Sequence, residues 1–270
     1  MNRRAFLGAT AAGVVSAGGW VRYVEPTWFE VTWTRVSMPG IRRRRILHLS
    51  DFHTSDGLTA AELGKGMDAG LGQRPDLICL TGDFVSATTG FDRRGLEGLL
   101  RRAANAAPCY AVLGNHDGGA WLRRYTGDGS TAVLSDLIAS TGVRLLHNQA
   151  VEEDGLTVIG VGDLWSGEFD PQSAFGGVSP SSPRLVLCHN PDAKQPLRRW
   201  QWDLMLSGHT HGGQGCIPGM TPSWTPVVDK RYFAGLYTWE NRRLFITRGL
   251  GAPLHVRAFC RPEASILEVG

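Results

Sequence analysis

Short, almost uninterrupted apolar runs recur along this chain, and each of them ends at a polar residue. Five of these runs occupy residues 45–50, 76–80, 108–113, 184–188 and 203–207. An apolar run of this length, with no polar alternation, is typical of a β-strand that is covered on both faces. The pattern therefore predicts five buried strands, each followed directly by a polar loop.

Helical patterns separate several of these strands. Helices are predicted over residues 58–71, 94–104 and 131–140. Further strands are predicted over residues 157–162, 232–237, 243–247 and 265–269, so the chain becomes rich in strands toward its end. Strands that alternate with helices favour a parallel sheet, and the later strands favour a second one. We therefore expect an α/β fold of two packed sheets flanked by helices, in a single domain over residues 21–270.

The polar residues that follow these strands in the sequence are all of types that frequently bind divalent metal ions. They are Asp51, His53, Asp83, Asn115, His189, His209 and His211. In open α/β sheets, ligands gather outside the carboxyl ends of the strands, so these side chains are expected to converge. Mixed carboxylate, amide and imidazole donors suit Mn, Fe or Zn better than a thiolate-seeking metal. The proline-rich loop over residues 216–228 is expected to pass near this site.

Five sequence blocks carry these residues in a fixed order. They read Asp51-Phe52-His53, Gly82-Asp83, Gly114-Asn115-His116-Asp117, Cys188-His189-Asn190 and Gly208-His209-Thr210-His211. In this order the blocks resemble the calcineurin-like metallophosphoesterases. Further stretches are similar to the exported bacterial YaeI-type phosphodiesterases, namely residues 25–30, 162–165, 187–192, 208–214 and 229–232. The resemblance covers nearly the whole chain and implies an enzyme that cleaves phosphoester bonds.

The resemblance implies a role for each residue. One divalent ion would be bound by Asp51, His53 and His211, a second by Asn115, His189 and His209, and Asp83 would bridge the pair. The ions would be Mn, Fe, Zn or Mg, and a metal-bridged hydroxide would attack phosphorus without a covalent enzyme intermediate. His116 would protonate the leaving alkoxide as general acid. The implied fold is a four-layer αββα sandwich of two mixed β-sheets flanked by helices.

One position departs from the pattern of many relatives, which carry an acidic residue three places after the bridging Asp to orient the catalytic His. Here that position is Ser86, so the orienting partner of His116 is left open. An orienting role for His116 itself is the alternative to acid catalysis. We interpret Asp117 as a structural residue that pairs with nearby backbone or a cation. Trp165 either lines the substrate pocket or belongs to the core.

The leading hypothesis is a metal-dependent phosphodiesterase whose phosphodiester substrate could be linked to a lipid. The nearest alternative is a UDP-diacylglucosamine pyrophosphohydrolase of lipid A synthesis, since related enzymes use the same site. Another alternative is a scaffold of this fold that binds partners without catalysis, although such proteins usually lose ligands and all seven are present here. A phosphoprotein phosphatase is a weaker option.

The N-terminus predicts export. Asn2-Arg3-Arg4-Ala5-Phe6-Leu7-Gly8 resembles the twin-arginine motif, and a weakly apolar stretch follows over residues 5–19. That stretch is too short for a spanning helix of ~20 residues. Residues 15–17 offer a small-residue cleavage site, although the leader could also remain as an anchor. Residues 1–20 are thus expected to engage the twin-arginine machinery. The expected location is the periplasm or the outer face of the cytoplasmic membrane, with peripheral membrane association.

Composition narrows the class of partner. The chain has 270 residues, of which 42% are hydrophobic, enough for one substantial core. The formal net charge of +3 becomes 3 − 2 = +1 when Arg3 and Arg4 leave with the leader, which argues against a nucleic-acid binder. The basic run over residues 42–45 is interpreted as a solvent-facing strand start rather than a lipid-binding cluster. The five cysteines form no CxxC pair, which argues against a disulfide framework.

Overall fold

Two six-stranded β-sheets form the framework of the protein. The computed structural model describes residues 17–54, 59–87, 90–179, 181–216 and 219–270. The twin-arginine motif lies outside these residues, so the boundary predicted between a leader and the domain stays a prediction. Within the described ranges, no helix is both long enough and apolar enough to cross a membrane.

The first sheet contains the strands that lead into the first three polar loops. Its strands are β1 Glu30–Val36, β2 Arg44–Leu49, β3 Leu77–Thr81, β4 Cys109–Val112, β5 Arg144–Leu145 and β12 Glu263–Val269. They lie in the order β1-β12-β2-β3-β4-β5, and β2 to β5 are parallel to one another. Strand β12 pairs antiparallel with β2 and parallel with β1, so the sheet is mixed.

The second sheet carries the remaining polar loops. Its strands are β6 Gln149–Glu153, β7 Leu156–Gly160, β8 Arg184–Leu187, β9 Leu204–Ser207, β10 Gly235–Trp239 and β11 Arg242–Ile246. They lie in the order β10-β11-β9-β8-β7-β6. The four central strands are parallel, and the edge strands β6 and β10 pair antiparallel with their neighbours. Two mixed sheets flanked by helices confirm the predicted fold class.

The helices cover the outer faces of the sheets. They are α1 Ala60–Leu71, α2 Arg93–Ala106, α3 Gly119–Thr126, α4 Ala132–Ala139 and the short α5 Pro171–Ala174. Helix α1 begins at Thr59 with a capping box: the Thr59 hydroxyl accepts the Glu62 N–H, and the Glu62 carboxylate accepts the Thr59 N–H. This reciprocal pair satisfies two backbone donors that the first turn of a helix would otherwise leave without partners.

Burial on both faces explains why the strand sequences lack polar residues. Leu47 of β2 belongs to the core that α1 and α2 cover. Its neighbour Ile46 points the other way and packs between the two sheets with Leu185 of β8. Val186, next to Leu185, faces the outer side of the second sheet. Because successive side chains point to opposite faces and both faces are buried, the central positions of these strands are mostly apolar, and polar residues stand mainly at the strand ends.

The strands predicted from the five apolar runs are all present, and α1, α2 and α4 correspond to the predicted helices. The predicted strand over residues 232–237 begins later, at Gly235, because Tyr232 still closes a turn onto Asp229. Strands β1 and β6 were not predicted, since they lie at sheet edges and mix polar with apolar residues. Residue 58 lies outside the described residues. None of the five cysteines, which all lie within the described ranges, forms a disulfide.

The loops after β3 and β4 touch each other through their backbones. Gly82 has a φ of +82°, and a Cβ at this position would lie 2.4 Å from the backbone nitrogen of Gly114. A left-handed backbone at such a close approach leaves room for glycine alone. This contact brings the polar ends of two neighbouring strands together.

We expect Gly82→Ala to lower the free energy of unfolding by about 1–3 kcal/mol or more, because it adds both backbone strain and a steric overlap. Gly98 provides the control, since it lies exposed on α2 and a Cβ there meets no atom within 4 Å. Gly98→Ala should raise stability by roughly 0.5–1 kcal/mol. Urea unfolding followed by circular dichroism measures both changes. Equal stability of the two variants would show that the contact between the loops is not tight.

Candidate metal centre

All seven predicted metal ligands lie together, where the carboxyl ends of strands from both sheets meet. They follow β2, β3, β4, β8 and β9 and all are buried: Asp51, His53, Asp83, Asn115, His189, His209 and His211. Parallel strands direct their carboxyl ends to the same edge of a sheet, and the two sheets share that edge here. The convergence of these side chains is therefore a result of strand topology.

Asp51, His53 and His211 form one group of donor atoms. The Nε2 atoms of His53 and His211 lie 3.2 Å apart, and Nε2 of His211 lies 3.3 Å from Oδ1 of Asp51. Two nitrogen atoms that each lie about 2.1 Å from one ion stand roughly 3–3.4 Å from each other. The three side chains are thus spaced as ligands of a single ion would be.

Asp83, His189 and His209 form a second group. Nε2 of His189 lies 3.1 Å from Oδ2 of Asp83 and 3.2 Å from Nδ1 of His209. Asn115 lines the same pocket. Its Oδ1 is buried and meets no hydrogen-bond donor among the described residues. A buried amide oxygen without a partner is costly, and a cation at this position would satisfy it. The residues present therefore fit a divalent ion.

One oxygen atom of Asp83 faces both groups. Oδ2 lies 3.1 Å from Nε2 of His189 and 3.5 Å from Nε2 of His53. The other oxygen, Oδ1, accepts a hydrogen bond of 2.9 Å from the backbone N–H of His116. That bond fixes the rotation of the carboxylate and keeps Oδ2 directed between the two groups. This position suits a carboxylate that is shared by two cations.

Backbone carbonyl groups determine which nitrogen of each imidazole faces the centre. His189 and His211 hold Nδ1 at 2.6 and 3.3 Å from carbonyl oxygens, which leaves Nε2 for an ion. His209 is reversed: its Nε2 lies 2.8 Å from the carbonyl oxygen of Pro226, and Nδ1 faces inward. Carbonyl acceptors of this kind orient metal-binding imidazoles and select their tautomer.

Burial also sets the protonation of the imidazoles. It lowers the pKa of His53 and of His209 to about 3, so both rings are neutral, as metal binding requires. For His189, burial alone would lower the pKa, but the adjacent Asp83 carboxylate, together with other acidic groups, raises it well above its ordinary value. The buried carboxylate thus holds a positive charge beside it, which a divalent ion could supply in place of a proton.

Most of these residues adopt a left-handed backbone. The residues with positive φ are Asp51 at 55°, His53 at 48°, Asp83 at 53°, His209 at 70° and His211 at 51°. Positive φ is uncommon outside glycine and costs about 1–3 kcal/mol where the fold enforces it. The strain turns each chain sharply after its strand, so that the side chains point to one place. Strained residues of this kind cluster at functional sites.

Asp117 holds the loops after β3 and β4 together. Its buried carboxylate accepts hydrogen bonds from the backbone N–H groups of Asp83, Phe84 and Gly114, at 2.7, 2.8 and 2.8 Å. These contacts agree with the interpretation of Asp117 as a structural residue that pairs with backbone. They also show how the backbone of Asp83 is kept in its strained conformation.

His116 is oriented by the residue that replaces the acidic partner of many relatives. Its Nδ1 lies 2.9 Å from the backbone carbonyl oxygen of Ser86. The Ser86 hydroxyl is directed elsewhere and donates to the carbonyl oxygen of His53. On the other side, the imidazole packs against Trp121, with 4.2 Å between the ring centroids. A carbonyl group and an aromatic ring therefore position His116, and Nε2 is the nitrogen available to a bound substrate.

The metal centre opens into a cavity of about 230 Å³ with aromatic walls. Trp121, Trp165 and Trp224 line it. Trp165 is placed by a local turn, in which Oδ1 of Asp163 accepts the Trp165 N–H at 2.7 Å. Its ring then meets His209 edge-on, with 4.5 Å between the centroids. Trp165 thus lines the pocket rather than the core.

Three residues of this region were not identified from the sequence. Trp121 lies five positions after His116, and a search for aromatic residues near the motifs could have found it. Trp224 lies in the loop over residues 216–228, whose predicted passage near the site is confirmed. Arg257 is fully buried. It donates to the carbonyl oxygens of His211 and Gly249 at 3.1 and 3.3 Å, and these bonds stabilise the loops after β9 and β11. No local motif marks it.

Comparison with known proteins defines the class. The sequence profile of the calcineurin-like phosphoesterase family matches residues 44–213. The chain is also 37% identical to phosphodiesterase YaeI of Escherichia coli K12, over 100% of this chain and 99% of that protein. The chain belongs to the calcineurin-like phosphoesterase family. This membership identifies it as a phosphoric ester hydrolase, in a family that uses divalent metal ions.

Other relatives also match over almost the full length. The UDP-2,3-diacylglucosamine pyrophosphatase LpxG of Chlamydia muridarum is 26% identical, over 97% of this chain and 95% of that protein. The metallophosphoesterase YkuE of Bacillus subtilis is 30% identical, over 98% of this chain and 96% of that protein. The similarity to these proteins therefore extends over nearly the whole of this chain and of each relative.

We expect Asn115→Ala to reduce the amount of manganese that the protein retains while leaving the metal-free fold almost unchanged. The Oδ1 atom of Asn115 makes no hydrogen bond among the described residues, so its removal breaks no such contact. Elemental analysis after dialysis measures the metal content, and thermal unfolding of the metal-free protein measures stability. Asn105→Ala, on the exposed side of α2, is the control. Unchanged metal content in Asn115→Ala would exclude Asn115 as a ligand.

Proposed function

We propose that this chain is a binuclear-metal phosphodiesterase. The observation that carries the proposal is the single Asp83 oxygen that lies within 3.5 Å of imidazole nitrogens from both donor groups. Two cations can approach each other only if negative charge lies between them, and a shared carboxylate provides it. The geometry supports a pair of ions better than one ion, because Asp83 groups with His189 and His209 and also lies near His53, which groups with Asp51 and His211.

In this proposal the chain holds one ion with Asp51, His53 and His211, and the other with Asn115, His189 and His209, while Asp83 touches both. Divalent ions such as Mn, Fe, Zn or Mg, when bound there, activate water at neutral pH and stabilise charge on the phosphoryl oxygens. The backbone contacts described above keep the donors in place before a substrate arrives. Such preorganisation is favourable, because little has to move during the reaction.

His116 is the proposed general acid. The Ser86 carbonyl holds its Nδ1, so Nε2 can give a proton to the oxygen atom that leaves phosphorus. Trp121 covers the ring and limits its rotation. The hydrogen bond that Nδ1–H of His116 donates to the Ser86 carbonyl oxygen takes the place of the contact with an acidic side chain in many relatives.

The proposed substrate is a phosphodiester with an apolar portion. Its phosphate would meet the polar floor of the cavity, and the tryptophan side chains around the mouth provide surfaces for a hydrocarbon group. The relative LpxG is a pyrophosphatase of UDP-2,3-diacylglucosamine, a diacylated nucleotide sugar, and this similarity supports a lipid-linked substrate for this chain as well.

A second candidate function is the hydrolysis of UDP-2,3-diacylglucosamine at its pyrophosphate bond. The observation in its favour is the similarity to LpxG over 97% of the chain. A panel containing this substrate, a phospholipid, an aryl phosphodiester and an aryl phosphomonoester separates the possibilities. Turnover of the diesters supports the main proposal, and exclusive turnover of the pyrophosphate supports the second. A protein loaded with metal that cleaves none of them would behave as a non-catalytic scaffold.

We expect His116→Ala to reduce kcat by about 10²–10⁴-fold for a diester with an alkoxide leaving group. The loss should be less than about tenfold for bis(p-nitrophenyl) phosphate, because p-nitrophenolate leaves without a proton. His147→Ala, an exposed histidine outside the site, is the control. Equal losses for both substrates would favour the orienting role of His116 over acid catalysis.

We also propose that the protein is exported by the twin-arginine machinery to the periplasm or the outer face of the cytoplasmic membrane, and residues 2–8 support this. Replacing Arg3 and Arg4 with lysine should keep most of the protein in the cytoplasm. The matched control replaces Arg42 and Arg43. Protease accessibility in spheroplasts reports the location, and unaltered export of the first variant would contradict the proposal.

A further inference from the structure

A set of exposed apolar side chains adjoins the metal centre, and we refer to it as the apolar face. Its members are Trp20, Tyr23, Val24, Trp28, Leu254 and Phe259. The most exposed are Leu254 at 87%, Phe259 at 74% and Tyr23 at 71%. Isolated apolar residues are common on protein surfaces, but a contiguous group of large ones marks an interaction site.

The N-terminal part of the apolar face belongs to a short helical segment. Trp20, Tyr23 and Val24 lie in the segment Trp20–Val24, in which no residue is buried. Each of the three side chains is at least 41% exposed, so the described residues leave this part of the face open to solvent. Backbone contact from Arg257 N to the Val21 carbonyl fixes the segment to the body of the domain.

The apolar face is continuous with the cavity of the metal centre. Pro253 lines that cavity, and Leu254 follows it directly. At the other end of this loop, Phe259 lines an apolar groove with Trp20 and Trp28. Trp224 of the cavity and Ala258 of the groove both approach Gly215, because a Cβ on Gly215 would lie 3.5 Å from the Trp224 ring and 3.9 Å from Cβ of Ala258.

Leu254 and Phe259 are held outward against two unfavourable effects. Their φ angles are 61° and 54°, in the left-handed region that large side chains rarely adopt. Both side chains are also mostly in water. Arg257, fully buried between them in the sequence, anchors the loop through its guanidinium. A rigid loop that exposes two large apolar groups gains stability when an apolar partner covers them.

The chemistry of the apolar face matches a lipid surface. Trp and Tyr favour the boundary between hydrocarbon and water. Arginine side chains flank the rings: Arg22 lies 5.3 Å from the Tyr23 centroid, and Arg261 lies 4.2 Å from that of Trp28. Among the described residues, Arg22 forms no ion pair with a carboxylate. Its Nη1 donates to the His255 carbonyl oxygen at 3.2 Å, and this bond holds the guanidinium beside the apolar face, where its other N–H groups can meet an anionic head group. In the sequence, residues 1–16 come shortly before Trp20 and contain Arg3, Arg4 and an apolar stretch.

We propose that the apolar face binds the surface of a phospholipid bilayer that contains anionic lipids. Trp20, Tyr23, Leu254 and Phe259 insert among the upper acyl chains, and Arg22 lies at the level of the phosphate groups. Bound in this way, the protein presents the mouth of the metal cavity to the head groups. Only the last step, access of a lipid-linked phosphodiester to the cavity, rests on the proposed function.

The basic run over residues 42–45 does not take part in this contact. Strand β2 starts at Arg44 and ends just before the metal centre, so the run lies at the opposite end of a strand that is roughly 20 Å long. The Arg44 guanidinium donates to the backbone carbonyl oxygens of Glu153 and Asp154. It therefore has a structural partner. The run is a strand start, as predicted, and residues 42, 43 and 45 are exposed, but the expectation that the run faces solvent is wrong for Arg44, which is buried.

Flotation of the full, metal-loaded chain with vesicles of phosphatidylethanolamine and phosphatidylglycerol tests the proposal. The double variant Leu254→Asn/Phe259→Asn removes apolar surface, and asparagine tolerates the left-handed backbone better than most residues. We expect its vesicle partition coefficient to fall by roughly tenfold or more. The control Trp33→Thr/Val133→Asn removes two other exposed apolar side chains and should bind as the unaltered chain does.

Several results would overturn the proposal. One is an unaltered chain that does not float with the vesicles. Another is an Asn double variant that floats fully, which would assign binding to residues 1–16 or another surface. A third is that light scattering finds a dimer for the unaltered chain and a monomer for the double variant, while both float equally with the vesicles. If the double variant unfolds at a lower temperature, Tyr23→Gln tests the same face from a different element. Turnover of a water-soluble diester by each variant separates loss of membrane binding from loss of the proposed activity.

Discussion

The structure around the active region depends on one buried charge. Asp83 is removed from water and surrounded by imidazole rings, and a carboxylate in that position requires compensating positive charge. This carboxylate raises the pKa of the adjacent His189 well above its ordinary value. Divalent cations would supply the compensating positive charge and would also satisfy the Asn115 oxygen, which has no donor among the described residues. These buried polar groups are unfavourable for the stability of the fold without ions, but they are favourable for binding metal. Metal binding would thus explain why so many polar groups are tolerated in the interior.

The sheets provide the rigidity that this arrangement needs. Apolar strands buried on both faces anchor the ends of each ligand loop, and the backbone contact at Gly82 together with the Asp117 carboxylate ties two of these loops to each other. Arg257 supports the loop after β9 in the same manner from the other side. Left-handed backbone at Asp51 or His211 persists because these contacts leave no alternative conformation. The stability of the rest of the domain therefore compensates for the backbone strain of these residues.

The surroundings of the centre explain how a general reaction can be directed to a particular class of substrate. In the proposed function, hydrolysis at phosphorus uses the polar floor of the cavity, and the tryptophan side chains that line it contact the rest of the substrate. In the membrane proposal, the apolar face beside the cavity contacts the lipid. These surfaces come from loops and from the N-terminal helical segment, which can change without disturbing the strands. The similarity to a phosphodiesterase and to a pyrophosphatase of a diacylated nucleotide sugar is understandable on this basis.

Local sequence was sufficient to predict the strands within the sheets, most of the helices and the identity of the candidate ligands. Each ligand follows closely after an apolar run whose length and composition are distinctive. It was insufficient for the edge strands β1 and β6, which have a weaker pattern. Neighbouring residues could not indicate that a backbone carbonyl of Ser86, rather than an acidic side chain, orients His116. Nor could they indicate that Phe259 lies beside Trp20, more than 230 positions away along the chain. Contacts of this kind arise when distant segments are folded against each other, and no short stretch of residues contains the information that specifies them.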